Sequence, residues 1–482
     1  MKKVSDILNN IELLKVSGDT GIGFNQVQFD SRLVGKDDVF VAVPGTQVDG
    51  HHYIDKAIAK GAKAVVCQQL PENIQPDITY VVVKDTSYAL GMMASAYYGQ
   101  PSRKLKLIGV TGTNGKTTVA TLLYEMLMNL GIKSGLISTV VYKISEQVVE
   151  ATHTTPDALT INRLLSRMAY EECQYVVMEV SSHALAQNRV AGLYYTAGIF
   201  TNITHDHLDY HETFQEYIRA KKKLFDSLSK NAFALVNIDD KNAGVMVQET
   251  NAAVYSYSLK TLSDFKTRII EQRLDGSLLE INGKETWVPL VGEFNAYNLT
   301  AVYGCAQLFG FEGEETLRML SLLKPVKGRF ETLISAGDKT AIVDYAHTPA
   351  GLLNVLKTIH KIKSKQQQIY TVVGAGGNRD TQKRPEMGKI AEKYSHKVIL
   401  TNDNPRYEEP GKIVEGLLSG FKDQNNALVI VDRKEAIKTA IALAKSGDII
   451  LVAGKGHENY QEIQGKRFRF DDKTVISEIF NK

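Results

Sequence analysis

Cysteine is scarce in this chain and scattered: Cys67, Cys173 and Cys305 are the only three in 482 residues. They show no CxxC spacing, so neither a disulfide framework nor a structural zinc site is indicated, and a reducing, cytoplasmic setting is expected. Long apolar runs are also missing. No segment approaches the roughly 20 residues of a membrane span. The start, MKKVSDILNNIELLKV, is basic at its tip and then polar, unlike a signal peptide, so no membrane insertion is expected. Nor is charge of one sign in excess, since Lys+Arg 57 against Asp+Glu 54 leaves +3. That balance disfavours a protein that lives on a phosphate backbone, and no nucleic acid partner is expected. Low-complexity tracts and repeats of fixed period are absent.

What is present is the mixture of a globular protein with real cores: 43% hydrophobic, 23% charged and 8% aromatic residues. At a prior of roughly 150 residues per domain, the length suggests about three domains. Gly99-Gln100-Pro101-Ser102 and the stretch around Lys327-Gly328-Arg329 punctuate the chain accordingly. The expected fold class is α/β in three domains. Residues 1–100 form a small α/β N-terminal domain, with FVAV, KAVVC and YVVV as strands. Residues 101–331 form a central P-loop-type mononucleotide-binding parallel sheet, and residues 332–482 a C-terminal Rossmann-like domain. In these two, apolar strands run repeatedly into polar loops: LKLIGV into TGTNGKTT, YVVMEV into SSHAL, AGIFTNI into THDHLDYH, then VDYAHTP, VVGAGGNRD, ILTNDNPR and ILVAGKGH. Parallel sheets place ligands at such carboxyl ends.

The segment Gly112, Thr113, Asn114, Gly115, Lys116, Thr117, Thr118 lies between an apolar strand and an amphipathic helix. Glycines let backbone N–H groups turn toward phosphate oxygens, Lys116 adds a point charge, and Thr117 offers a hydroxyl to Mg²⁺. The match to GxxxxGK[ST] is imperfect, because Val110 stands at the first glycine position. ATP or GTP binding is expected.

Five of the eleven histidines fall between residues 153 and 211. Glu179 ends the strand YVVME, where a P-loop fold keeps an acidic Mg²⁺ partner, and His205, Asp206, His207 and Asp209 end the next. For each histidine, an ordinary strand-end hydrogen bond and a metal role both remain open. In FQEYIRAKKKLFDSL, Lys221 falls near the centre of an apolar helical stripe, whereas Lys222 and Lys223 point sideways and outward. An inward lysine is costly unless it is paired or loses its charge; the alternative is a snorkelling stem with its head in solvent.

With these residues assembled, the chain resembles the ATP-dependent Mur ligases, which build the peptide of bacterial cell-wall precursors. The likeness runs through TGTNGKTT, HTTP (153–156), MEVSSHALAQNR (178–189), TNITHDHLDYH, RAKKKLF, NAYN (295–298), KGRFE, VDYAHTP, GAGGNRD, DNPR and GKGHE. It implies phosphorylation of a substrate carboxylate by ATP to an acyl phosphate, which an amine then attacks. By motif it implies that Lys116 and Thr117 hold phosphates and Mg²⁺, with Glu179 and His207 as further ligands. Lys221 matches a lysine carbamylated by CO₂, which converts a cation into a metal-binding anion. Asn298, Arg329 and Asp344 match positions around the nucleotide. Ser31, Thr46, Gln47 and Val48 match the grip on the uridine diphosphate of UDP-N-acetylmuramoyl-dipeptide, and Thr154, Thr155, Ser181, Gln187 and Arg189 match contacts to its muramoyl-dipeptide. A monomer is expected.

The resemblance assigns the incoming amino acid to Arg379, Asp403, Asn404, Pro405, Arg406, Gly454 and Glu458. Meso-diaminopimelate carries a far-end carboxylate that L-lysine lacks. Arg406 would gain a bidentate partner with the former and face an ammonium with the latter, so meso-diaminopimelate is expected. Alone, DNPR reads rather as a surface Asx-Pro turn, and DSR and the Pro-Gly loop more often as plain turns. The alternatives are the L-lysine-adding relative, a folylpolyglutamate synthetase, and a P-loop nucleotide switch without ligase chemistry.

Overall fold

The computed structural model describes residues 2–45, 48–151 and 153–481. Three large sheets follow one another along the chain, accompanied by two two-stranded ones. The first has the order Leu13–Ser17, Thr79–Val83, Ala62–Cys67, Asp38–Val41, Val27–Gln28. Its outermost strand Leu13–Ser17 is antiparallel to its neighbour and the other four are parallel. The helix Thr86–Tyr97 is started by Asp85, whose carboxylate accepts from the amides of Ser87 and Tyr88.

The central sheet has eleven strands. Ser134–Ile137, Tyr175–Glu179, Lys106–Thr111, Ala197–Phe200, Phe233–Asn237 and Ala253–Ser258 lie side by side and parallel. Antiparallel strands extend this parallel core, directly at one edge and at the other only beyond Phe265–Arg273, which still pairs parallel with Ala253–Ser258. Tyr142–Ile144 and Gln147–Val149 extend one side, and Phe265–Arg273, Gly276–Ile281 and Lys284–Val288 form a meander on the other. Tyr175–Glu179 and Ala197–Phe200 are buried at every position because helices cover both faces, which is why they read as unbroken apolar runs. Lys106–Thr111 lies between strands reached in opposite directions, so the crevice beyond its carboxyl end is a topological switch point.

The third sheet has the order Glu331–Ile334, Thr340–Asp344, Ile449–Ala453, Ile369–Val373, Lys397–Leu400, Ala427–Val429, with only the first strand antiparallel. One buried ion pair ties its helices together. Arg433 meets Asp472 at 2.7 Å with both side chains wholly buried, and the guanidinium also donates to the carbonyls of Asn402 and Ala453. The second and third sheets are joined at Gly328–Phe330: Tyr345 N donates to Gly328 O, and Phe330 N to the Asp344 carboxylate. No helix among the described residues is long and apolar enough to cross a membrane.

Candidate active site

The turn from strand Lys106–Thr111 into helix Lys116–Asn129 is shaped by two glycines. Gly112 has φ +150°, and a Cβ there would sit 1.9 Å from Thr201 Oγ1. Gly115 has φ +89°, and a Cβ there would sit 2.6 Å from Asn298 Oδ1, so Asn298 lies directly on the loop. Asn202 holds the loop by accepting from Asn114 N through its side chain and from Thr113 N through its carbonyl. Lys116 Nζ curls back to the carbonyls of Gly112 and Thr113 at 2.9 and 2.8 Å. Thr117 Oγ1 donates to Glu179 Oε2 at 2.9 Å and accepts from Arg329 Nη2 at 3.2 Å. Thr118 is buried beside it.

Glu179 has no solvent exposure, and its carboxylate also receives Thr139 N at 2.7 Å and Thr139 Oγ1 at 3.2 Å. Among the described residues it has hydroxyl and amide donors but no lysine or arginine partner. A buried carboxylate so placed fits a hard divalent cation. No group of three His, Cys, Asp or Glu among the described residues makes a complete metal cage. Mg²⁺ is usually bound through one or two carboxylates with waters and substrate phosphates.

His207 adopts a left-handed backbone, with φ 55°, and lies beside His183, ring centroids 4.8 Å apart. Burial lowers both histidines to about 4, so both rings are neutral at physiological pH with a lone pair to offer. Lys221 is 1% exposed, and its Nζ donates to Gly112 O at 2.7 Å and sits 4.7 Å above the Tyr217 ring. The snorkelling alternative is therefore excluded. Lys116 and Lys221 share the Gly112 carbonyl, and burial, with Lys116 second, pushes Lys221 well below the ordinary lysine range. Lys222 instead pairs with Asp226 and Glu249, and Lys223 is exposed.

Arg189 donates from Nε and Nη2 to Gln187 Oε1 and from Nη1 to Thr155 O. Thr155 Oγ1 in turn donates to Glu179 O, Thr139 Oγ1 lies 3.0 Å from Thr154 Oγ1 and can accept from it, and Ser181 caps the helix Ser182–Ala186. These residues flank the phosphate loop on its Glu179 side. Ser31, buried, and Val48, half exposed, lie in the first domain and outside the cleft lining; Thr46 and Gln47 are outside the described residues.

The third sheet brings its strand ends to the opposite wall. Asp344 accepts from Phe330 N at 2.7 Å, and burial raises it to about 6 against the opposing pull of Arg329. Arg329 stacks on Tyr345, 4.4 Å from the ring centroid. Arg379 is exposed at the cleft. Arg406 donates to Gly377 O at 2.8 Å and has Glu462 3.6 Å from its Nε. Pro405 packs its carbonyl against Gly377. Gly454 leaves room for Asp403, whose Oδ2 a Cβ there would meet at 2.5 Å. Asn404 and Glu458 are linked at 2.8 Å, and both are held by Lys455 Nζ, at 3.1 and 3.0 Å. The Glu458 carboxylate thus already has a cationic neighbour. Burial and Asp403 raise it from the usual carboxylate range, and Lys455 opposes them.

One cleft of about 1300 Å³ gathers the phosphate loop, Glu179, His207, Arg189, Arg329, Asp344, Arg379 and Arg406. Sequence reasoning missed Thr139, His183, Tyr345, His347 and Lys383 in the same lining, and Lys455 behind it. All but Thr139 and Lys383 stand inside motifs already singled out, so their place at strand ends was the available signal.

Comparison with known proteins agrees with this arrangement. The family model described as Mur ligase family, catalytic domain, matches residues 24–98; Mur ligase middle domain matches residues 110–306; and Mur ligase, glutamate ligase domain, matches residues 328–456. The UDP-N-acetylmuramoyl-L-alanyl-D-glutamate--2,6-diaminopimelate ligase of Phocaeicola vulgatus is 54% identical over 480 residues, 99% of each chain. The protein of the same name from Bacteroides thetaiotaomicron is also 54% identical, over 99% of this chain and 100% of its own. A solved structure of a ligase of that name aligns with TM-score 0.69 and 30% identity, covering 100% of this chain and 99% of the other. Such identity, sustained from one end of the sequence to the other, places the chain in the Mur ligase family.

Proposed function

We propose that this ligase joins meso-diaminopimelate to the D-glutamate of UDP-N-acetylmuramoyl-L-alanyl-D-glutamate at the expense of ATP, in peptidoglycan precursor synthesis. The observation that carries the reading is that one cleft is lined at once by the phosphate loop, Arg189 and Arg406. These are the groups that an ATP, an anionic peptide and a second amino acid carboxylate each require. The curated relatives named above support the same amino acid.

A carboxylate is a poor electrophile at neutral pH, so phosphorylating it is the chemical purpose of the nucleotide. In the proposed sequence the glutamate carboxylate attacks the γ-phosphorus, ADP leaves, and the amine then displaces phosphate from the acyl carbon. Lys116, Arg329 and the amides of Thr113 to Thr118 would hold the phosphates, with Asn298 and Asp344 bounding the nucleotide. Mg²⁺ would be held by Thr117, Glu179, His207 and Lys221 as its carbamate, and when bound supplies positive charge to the transferring phosphoryl group. The carbamate is supported by geometry: a buried lysine that shares one carbonyl with a second lysine is relieved of like-charge crowding when CO₂ makes it an anion. Thr154, Thr155, Ser181, Gln187 and Arg189 would hold the dipeptide. Residues 1–100 would hold the uridine diphosphate through Ser31, Thr46, Gln47 and Val48, residues 101–331 the ATP, and residues 332–482 the amino acid. Those amino acid contacts would come from Arg379, Asp403, Asn404, Pro405, Arg406, Gly454 and Glu458. Closure of the third unit onto the second would exclude water that hydrolyses the acyl phosphate.

Phosphate release measured with purified protein tests the reading. It should require ATP, UDP-N-acetylmuramoyl-L-alanyl-D-glutamate and meso-diaminopimelate together; equal turnover with L-lysine would favour the lysine-adding alternative. For the carbamate, protein equilibrated with ¹³C-bicarbonate should show a carbamate carbon resonance that Lys221→Ala removes together with activity. A fully active Lys221→Ala variant would refute it.

A further inference from the structure

We propose that His347 is the base that takes a proton from the incoming amine. The inference rests on the ligase reading above and adds a residue that neither the motif comparison nor the phosphate chemistry uses.

His347 follows the strand Thr340–Asp344 and lines the cleft that also holds the phosphate loop and Arg406. Its Nδ1 is 2.9 Å from the carbonyl oxygen of Tyr345. A carbonyl oxygen only accepts, so Nδ1 carries the hydrogen and, in the neutral ring, Nε2 carries the lone pair. The ring packs on Tyr345 at a centroid distance of 4.6 Å, which fixes its plane. Tautomer and orientation are therefore set before any substrate binds.

The charged and titratable groups around it come from every wall of the cleft. Lys383 stands at the start of helix Lys383–Tyr394, Arg329 on the linker, Asp206 and His207 beyond strand Ala197–Phe200, and His457 after Gly456. Burial, Lys383 and Arg329 favour the neutral ring, while Asp206 and the Tyr345 carbonyl favour the protonated one. A bound acyl phosphate adds negative charge to this setting, favouring the imidazolium as the amine gives up its proton. Two of the other acids nearby are committed. Asp344 accepts amide hydrogens, and Glu458 is tied to Lys455 and Asn404.

The amine of the free amino acid is an ammonium with no lone pair. Nε2 removes one proton, and the freed pair forms the C–N bond at the acyl carbon. The tetrahedral intermediate then expels phosphate with the C–O electron pair. The second nitrogen proton leaves with the phosphate, and the imidazolium returns its proton to solvent.

The test compares two nucleophiles in a His347→Asn variant, whose Nδ2 can still donate to Tyr345 O. Amide formation with meso-diaminopimelate should fall by about 10²–10⁴-fold. Hydroxamate formation with hydroxylamine, an amine uncharged at neutral pH, should stay within a few-fold of wild type. Ligation by the variant should also climb with pH as diaminopimelate loses its own proton. Equal loss with both nucleophiles, no loss with either, or a pH profile parallel to wild type would overturn the proposal. A wild-type protein that makes hydroxamate but no amide with meso-diaminopimelate would overturn the function proposed above, and this role with it.

Discussion

Replacing Arg406 by alanine should collapse the preference for meso-diaminopimelate over L-lysine. The residue is pinned by its backbone: Arg406 N donates to Glu462 O at 3.0 Å, and Gln464 N donates to Arg406 O at 2.7 Å. Its side chain is 21% exposed, and its charge is only loosely met by Glu462 at 3.6 Å. A far-end carboxylate would add two charge-assisted hydrogen bonds, each about 1.5–3 kcal/mol, partly offset by the lost Glu462 contact and displaced water. A net loss of about 3–4 kcal/mol on truncation is a drop of about 10²–10³-fold in kcat/KM for meso-diaminopimelate. L-Lysine should behave oppositely, because the variant removes a cation facing its ammonium and leaves Glu462 free to accept it. Initial rates of phosphate release with each amino acid, at saturating ATP and UDP-muramoyl-dipeptide, give both constants. A fall by the same factor with both amino acids would mean that Arg406 only holds the loop, and an unchanged ratio would mean that specificity lies elsewhere.

Two stability predictions follow from buried charge. Asp344 is raised to about 6 in the fold, so the native state binds the proton more tightly than the unfolded chain, and stability falls as pH rises from about 4 to about 6. Asp344→Asn should therefore melt above wild type at neutral pH, by up to about 3 kcal/mol, with the gap closing near pH 4; a gap constant across that range would contradict the assignment. Asp472→Ala strands the wholly buried Arg433 and should cost about 3–5 kcal/mol in urea denaturation. A loss under about 1 kcal/mol would show that water reaches Arg433.

The parallel cores were legible because burial on both faces erases alternation. Tyr175–Glu179 and Ile449–Ala453 are buried at every position, and each reads as a short apolar run ended by a polar loop. The antiparallel edges were passed over, although one carries a plain signal. Asn282-Gly283, with φ 47° and 81°, joins Gly276–Ile281 to Lys284–Val288 as an Asn-Gly hairpin turn. The hairpin Tyr460–Ile463 with Lys466–Arg469, which docks on Arg406, turns at Gln464-Gly465. That pair is a weaker signal, and the flanking strands are half-buried or exposed, so no apolar pattern marks them.

The same distinction between local and distant order governs the site. Lys221 could be placed from sequence because a charge on an apolar stripe conflicts with helical periodicity, and that conflict is confined to one helix. Arg406 became interpretable only through likeness, since a DNPR loop has the same local physics as any surface turn. His347 and Lys455 had neither advantage. What makes each chemically specific is a neighbour that folding supplies: the Tyr345 carbonyl that sets the tautomer of His347, and the Asn404 side chain, 51 positions away, that meets Lys455. Arg329 and Thr117, 212 positions apart, meet only because the second and third sheets present their carboxyl ends to one cleft. The near-neutral total of +3 is likewise a sum over distant surfaces. It conceals a cleft that sets Lys116, Arg189, Arg329, Arg379, Lys383 and Arg406 around anionic substrates.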